Sequence, residues 1–280
     1  MDLRVTEFTI EDHIAVVRLK RPDRGNSWTT RMNAEYRWLL DRLDKDPQVR
    51  VIVVTGSGRQ FCVGADFKAL DHYEKSDEDY VKSFKPDAMA NPGHGVRPEY
   101  DHELVWHWGL QKTVIAAING ACAGIAVALA AFCDLRYAAE GAKFTTATPR
   151  LGLPAEYGLS WVLPRIVGLT HSADILLTGR IFPAEEALAM GFLNAVFPAD
   201  VFEARVMQIA KGIADTVSPV AAKTAKRQLY GELMSSDVGQ SIEDSKALIG
   251  QLMKQPDFSE ALAAMKEKRS PSFKGIEDQT

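Results

Sequence analysis

Residues 51 to 68 constrain the fold of this chain more than any other stretch. Val51-Ile52-Val53-Val54 is an unbroken apolar run that ends on Thr55. A strand without polar alternation belongs in a sheet covered on both faces. The run passes into a Gly56-Ser57-Gly58 loop and then a tight Gly64-Ala65-Asp66 turn that opens a helix. Small-residue turns at helix starts leave backbone N–H groups unpaired. Such donors can hold an anion, or an oxygen that gains charge during a reaction. The small side chains of Gly64 and Ala65 allow a ligand to approach that backbone closely.

The pattern repeats downstream. Val114 to Ile118 is a second buried strand, and Asn119 to Gly124 a second small-residue turn. A wholly apolar helix from Ile125 to Phe132 follows, then a short strand from Leu135 to Ala138. Upstream, residues 3 to 20 alternate apolar and polar around Glu11-Asp12-His13 and predict a strand pair. Thr29 or Thr30 can cap a helix whose apolar face is Met32, Tyr36, Leu39, Leu40 and Leu43, ended by Asp46-Pro47. Residues 71 to 103 break the rhythm. They are charged, hold Pro86, Pro92 and Pro98, and predict a mobile surface insertion. After residue 199 the periodicity is helical throughout, over 200–215, 218–234, 240–254 and 257–267. The expected organisation is an alternating α/β body over 1–198 and a helical region over 199–280.

Bulk properties exclude several classes. The 280 residues suit one sizeable domain with an extension. A net charge of −4 gives no basic field for nucleic acid. No apolar run reaches membrane-spanning length. Cys62, Cys122 and Cys133 lack CxxC spacing and sit among apolar residues, which predicts buried free thiols and no structural zinc. The N-terminus enters a strand pattern at once, leaving no room for a signal or transit peptide. A cytoplasmic chain is expected. Gly56-Ser57-Gly58 lacks the third glycine of a dinucleotide loop, because position 61 is Phe61. Ser57 is not in a nucleophile elbow, since Thr55 takes the first glycine's place.

If the two strands are neighbours, their turns lie side by side at one sheet end, and the N–H groups of Ala65 and Ile125 can converge on one carbonyl oxygen. Two unrelated turns are the plainer alternative. The segment Gly58 to Lys68, with Gly64-Ala65-Asp66-Phe67-Lys68 at its end, resembles the acyl-CoA-binding segment of the crotonase family, the enoyl-CoA hydratase/isomerase superfamily. Asn119 to Ile125 resembles that family's second oxyanion turn. The likeness continues through Cys133 to Ala139, Leu151-Gly152-Leu153-Pro154, Leu177 to Arg180, Gly191 to Asn194 and Glu267 to Phe273.

The resemblance implies an α/β fold: a crotonase-like spiral of ββα units with a C-terminal helical trimerisation region, commonly a dimer of trimers. It implies an acyl-CoA thioester substrate, with coenzyme A as part of the substrate and no separate cofactor or metal. Ala65 and Ile125 take the oxyanion N–H roles. Arg24 and Lys68 resemble residues near the coenzyme phosphates or adenine; as an alternative, each is a solvated surface cation. Ala65, Asp66, Phe67 and Lys68 fall in the coenzyme-binding segment.

The family's hydratases use two glutamates, and by the surrounding motifs these positions hold Ala128 and Thr148. Neither side chain moves a proton near neutral pH. One acid remains nearby, Glu156, in Leu153-Pro154-Ala155-Glu156-Tyr157-Gly158. Its apolar neighbours predict partial burial and a raised pKa. Related dienoyl-CoA isomerases, and a C–C hydrolase acting on diketones, carry a carboxylate at or near this place. Alternatively, Glu156 caps the helix near Leu159-Ser160-Trp161.

His72, His94, His102 and His107 lie in or beside the insertion with Tyr73, Tyr80, Tyr100, Trp106 and Trp108. The family borders its acyl pocket with this region, and a bulky or aromatic acyl group suits such a lining. A surface segment packed by its own aromatics is the other reading, and for any single histidine the favoured one. A histidine paired with Glu156 suits the hydrolase. Trp28 either narrows the pocket or fills core. The resulting expectation is an acyl-CoA enzyme that stabilises an enolate and moves a proton with one carboxylate, as an isomerase does. A hydratase with an unusual site, a C–C hydrolase and a non-catalytic acyl-CoA binder are the alternatives.

Overall fold

The structure is a computed structural model that describes residues 1–68, 71, 75 and 100–276. Most of the expected insertion over 71–103 lies outside the described residues, with His72, Tyr73, Tyr80 and His94.

The chain opens on β1 (Thr6–Glu11) and β2 (Ile14–Leu19), paired antiparallel. Asp12 and His13 turn between them, both at positive φ (48° and 65°). Two left-handed residues match the twist of a two-residue hairpin. Helix α1 (Thr30–Lys45) starts at Thr29, whose Oγ1 accepts the Met32 N–H at 3.1 Å. Strands β3 (Val51–Gly56) and β4 (Thr113–Ile118) follow as expected. Strand β5 (Cys122–Ala123) and helix α2 (Ile125–Phe132) come next, then β6 (Leu135–Ala139) and β7 (Lys143–Thr145). Helix α3 (Leu159–Thr178) precedes β8 (Phe182–Pro183), α4 (Ala184–Ala189) and β9 (Ala195–Phe197). The chain ends in α5 (Phe202–Thr216), α6 (Pro219–Gly231), α7 (Val238–Leu252) and α8 (Pro256–Glu267).

The main sheet has the order β1-β2-β3-β4-β6-β9 and is parallel from β2 onward. A smaller sheet, β5-β7-β8, lies beside it. Alternate residues of the central strands enter two separate cores. Ile52 and Val54 of β3 join Val114, Ala116 and Ile118 of β4 in the larger core with α1 and α2. Val51, Val53, Ile115 and Ala117 face the other way, against Phe202, Val206, Ala210 and Ala214 of α5. That division explains the unbroken apolar runs. Helix α5, C-terminal to the expected division at 198/199, is thus the cover of the sheet's second face.

Of the two readings of the aromatic residues beside the insertion, the self-packed surface segment is corrected here. Tyr100, Trp106, His107 and Trp108 are buried rather than superficial. Residues Val105–Gly109 form a 3-10 turn inside the larger core. Trp108 stacks on Tyr230 of α6 (centroids 4.6 Å apart) and meets Phe132 edge-on at 5.1 Å. The partners of these rings come from α2 and α6, distant in sequence, so local composition could not reveal the burial. Lys226 of α6 also pairs with Asp134 at the start of β6 (2.7 Å).

Candidate active site

The two small-residue turns meet. Cys62 N–H donates to the Ala121 carbonyl and Ala123 N–H to the Cys62 carbonyl, each at 3.0 Å, forming a parallel bridge between the two loops. A side chain built on Gly64 would stand 3.2 Å from the Ala123 carbonyl oxygen. Gly120 must stay glycine for a harder reason: a Cβ there would lie 1.9 Å from the Arg59 carbonyl oxygen.

Three amides stitch the loops. Asn119 Nδ2 donates to the Gly56 and Gly58 carbonyls (3.0 and 2.9 Å), and Gln60 Oε1 accepts the Ala121 N–H (2.8 Å). Asn26, wholly buried, donates to the Ser57 and Gln60 carbonyls (2.9 and 2.7 Å). Sequence reasoning gave none of these a role. The available signal was an amide residue within or beside each glycine turn, where it replaces strand hydrogen bonds the loops cannot make.

Ala65 and Ile125 sit at the meeting point. Trp28 N–H donates to the Gly64 carbonyl (2.7 Å) and its carbonyl accepts the Asp66 N–H (3.0 Å). In a parallel bridge of this kind the intervening N–H, that of Ala65, points away from the partner. Ile125 is the first residue of α2, and Gly124 before it donates to the Thr145 carbonyl at 3.0 Å. Among the described residues neither the Ala65 nor the Ile125 N–H has an acceptor. At Ile125 the helix dipole adds partial positive charge.

Glu156 faces this point. Its Oε1 stands 3.1 Å from where a Gly124 Cβ would be, directly before Ile125. Tyr157 (φ 47°) and Gly158 (φ 74°) follow it in left-handed conformations that swing the chain into α3. The capping role is not taken: Gly158 is the N-cap residue of α3, with no side-chain cap bond. No cation pairs with Glu156 among the described residues, and burial pushes its carboxyl up from 4.5 to about 7. Ala128 is wholly buried in α2, one turn beyond Ile125. Thr148 is buried at the start of a 3-10 turn, Thr148–Leu151, and its hydroxyl has no hydrogen-bond partner among the described residues.

The coenzyme-segment residues divide. Asp66 is engaged within the protein: its Oδ2 accepts from Arg21 Nη2 (2.8 Å) and Ser27 Oγ (3.0 Å), and its Oδ1 from the Lys68 N–H (3.0 Å). Burial pushes its carboxyl up, but these hydrogen bonds outweigh that and hold it below the usual range. Asp66 therefore fixes the turn, together with Arg21, which the sequence reading missed. Phe67 and Lys68 are exposed just beyond it. Arg24 is exposed on the neighbouring loop, which joins this segment through Val63 N–H to the Gly25 carbonyl (3.0 Å).

Aromatic side chains back the turn. Trp28 is mostly buried and meets Tyr36 edge-on at 5.5 Å, and Tyr36 lies 5.9 Å from Trp106. His107 is buried in the same group; its Nε2 pairs with the Tyr36 hydroxyl at 2.7 Å, and burial pushes its pKa down to about 3. His102 is exposed. No described histidine pairs with Glu156.

At one end of the sheet two loop-joined turns thus bring one carboxylate beside two backbone N–H groups that have no acceptor among the described residues. The family model for enoyl-CoA hydratase/isomerase matches residues 9–277. A probable enoyl-CoA hydratase of Rhodobacter capsulatus is 31% identical over 279 residues, covering 98% of this chain and all of that protein. Among solved structures, a probable enoyl-CoA hydratase/isomerase from Mycobacterium abscessus superposes with a TM-score of 0.82 at 31% identity, covering 96% of this chain and 98% of its own. An enoyl-CoA hydratase from Bacillus anthracis gives 0.84 at 27% identity, covering 97% and 100%. The chain belongs to the enoyl-CoA hydratase/isomerase family and is an acyl-CoA enzyme of that superfamily.

Proposed function

We propose that this enzyme moves a proton on an enoyl-CoA thioester, shifting its double bond, with Glu156 as the one acid–base group. The observation that carries the reading is the placement of Glu156. Its carboxyl, poised near neutrality and without a cation partner among the described residues, stands against Gly124 beside two N–H groups that lack acceptors among those residues. The Ala65 and Ile125 N–H groups bind the thioester oxygen and stabilise the charge that develops on it. Glu156 takes a proton from the carbon next to the thioester carbonyl. The freed electron pair spreads into the carbonyl and the adjacent double bond, and the same carboxyl returns the proton at the far end of the conjugated system. No oxidant or water is consumed. Arg24 and Lys68, exposed at the mouth on the Ala65 side, contact the coenzyme's phosphates.

Hydration, the activity in several relatives' names, needs a base for water as well as an acid for carbon. Ala128 and Thr148 supply neither. A panel of enoyl- and dienoyl-CoA thioesters turned over in heavy water separates the readings. Deuterium uptake with no added water, abolished by Glu156→Gln with binding retained, is the expected result. Water addition that survives Glu156→Gln would overturn it in favour of a hydratase. Thioester binding without exchange would leave a binder.

A further inference from the structure

The main sheet has a second opening, on the face away from α2. A cavity of about 310 Å³ lies between the sheet and α5, at the carboxyl ends of β2, β3, β4 and β6. Carboxyl ends of parallel strands are where open α/β sheets receive ligands. The space comes from side-chain size. Deeper along this face Val51 and Ile115 join Ala210 and Ala214 in the second core. Toward the strand ends the sheet presents Ala117 and Ala139, too small to fill the room beneath Phe202 and Val206. One wall is apolar: Val16, Val53, Phe202 and Val206 line it and are buried. The charge on the lining comes from Arg18 and Glu203, which pair with each other from β2 to α5. Arg18 stands two residues beyond Val16 on the same strand, so both side chains leave the same face. The hydroxyl of Thr55 and the amide of Asn119, also on the lining, bond to each other at 3.3 Å.

From this geometry we infer that the cavity binds a short-chain free carboxylic acid, with its hydrocarbon tail against Val16, Val53, Phe202 and Val206 and its carboxylate on Arg18. The ion pair decides the sign of the ligand. The Glu203 side chain is 68% exposed and that of Arg18 only 32%. So exposed a pair holds weakly. Glu203 is the partner free to turn into water, and the charge it leaves at the mouth is the guanidinium. A ligand carboxylate then replaces one carboxylate by another, in the two-pronged geometry that suits arginine. Burial of the tail in the apolar part supplies the gain. The inference is independent of the acyl-thioester site, because α2, which begins at Ile125, packs on the sheet's other face.

The test is calorimetric titration of the full chain with butanoate, hexanoate and octanoate, and with octanol as the uncharged tail. Affinity should rise roughly threefold with each added methylene as the tail is buried. Octanoate should bind several-fold tighter than octanol. Arg18→Gln should erase the acid's advantage and leave octanol's affinity unchanged, whereas Glu203→Gln should tighten octanoate by freeing its partner. Both substitutions change partly exposed side chains, so the fold is retained. Failure of wild type to bind octanoate at millimolar concentration overturns the inference. So does equal affinity for octanoate and octanol, or octanoate binding that Arg18→Gln leaves unchanged, which would place the acid elsewhere, the thioester site included.

Discussion

Glu156 has no cation beside it among the described residues, and its burial makes stability, and on the proposed mechanism activity, depend on pH. Ionised near 7 in the folded chain and near 4.5 when solvated, it binds more protons folded than unfolded between those values. Below about 4.5 it is protonated in both states and its burial carries no charge penalty. As pH rises through the window toward 7 the folded protein must hold an unpaired carboxylate, and stability falls. Thermal unfolding at pH 8 should therefore find Glu156→Gln more stable than wild type, by at most about 3 kcal/mol, with the difference vanishing near pH 4. The catalytic counterpart runs the other way. A general base works when ionised, so kcat/KM for the isomerisation should climb with pH to a plateau, with a midpoint near 7. A flat profile between pH 5.5 and 8.5 would remove Glu156 from the proton-transfer step.

The candidate site lies where two strand-to-helix units touch, and Gly124 is the glycine of that junction that faces Glu156. Its φ of 54° with ψ of −124° is a backbone conformation that side chains resist, and an added Cβ would stand 3.1 Å from Glu156 Oε1. Gly124→Ala should lower kcat about a hundredfold by displacing the carboxylate, while destabilising the fold by only roughly 1–3 kcal/mol. Steady-state kinetics beside a melting curve checks this; a kcat within a factor of two of wild type would mean that the junction is not where the reaction happens. Much at this scale was legible in the sequence. Val51 to Val54 and Val114 to Ile118 showed as apolar runs because each serves two cores, and the turns showed because only small residues permit so close an approach. Glu156 stood out only through the resemblance, which puts Ala128 and Thr148 where the family's hydratases have glutamates and leaves this carboxyl as the acid nearby. The rest depends on partners far along the chain. Asn26, Gln60 and Asn119 read as ordinary loop polar residues until the loops they join are adjacent. Trp106, His107 and Trp108 look superficial beside a charged segment until α2 and α6 close over them.

At the scale of the whole molecule, the C-terminal helices leave an apolar face uncovered. Helix α7 buries none of its residues, and Val238, Ile242, Ile249 and Met253 stand half or more exposed along it. Their spacing of four, seven and four places them in one stripe, the pattern of a helix face that expects a cover. Beside it, Val220, Ala221, Leu252, Phe258 and Ala261 line an apolar groove at the junction of α6, α7 and α8. Contiguous exposed apolar surface of this kind marks an interaction site. The sequence resemblance assigns this region to self-assembly in threes, and we propose that further copies of this chain cover the stripe. Ala65, Ile125 and Glu156 all come from one chain, so assembly is not needed to bring them together. Sedimentation equilibrium at micromolar concentration should give a mass three or six times the 30.9 kDa of the chain. Placing charge in the stripe, as in the double substitution Ile249→Asp and Met253→Asp, should yield a folded monomer, because both side chains are solvent-exposed within the single chain and removing them leaves no internal cavity. A wild-type protein that sediments as a monomer would show that the stripe has another occupant, and an unchanged mass in the double variant would move the interface elsewhere.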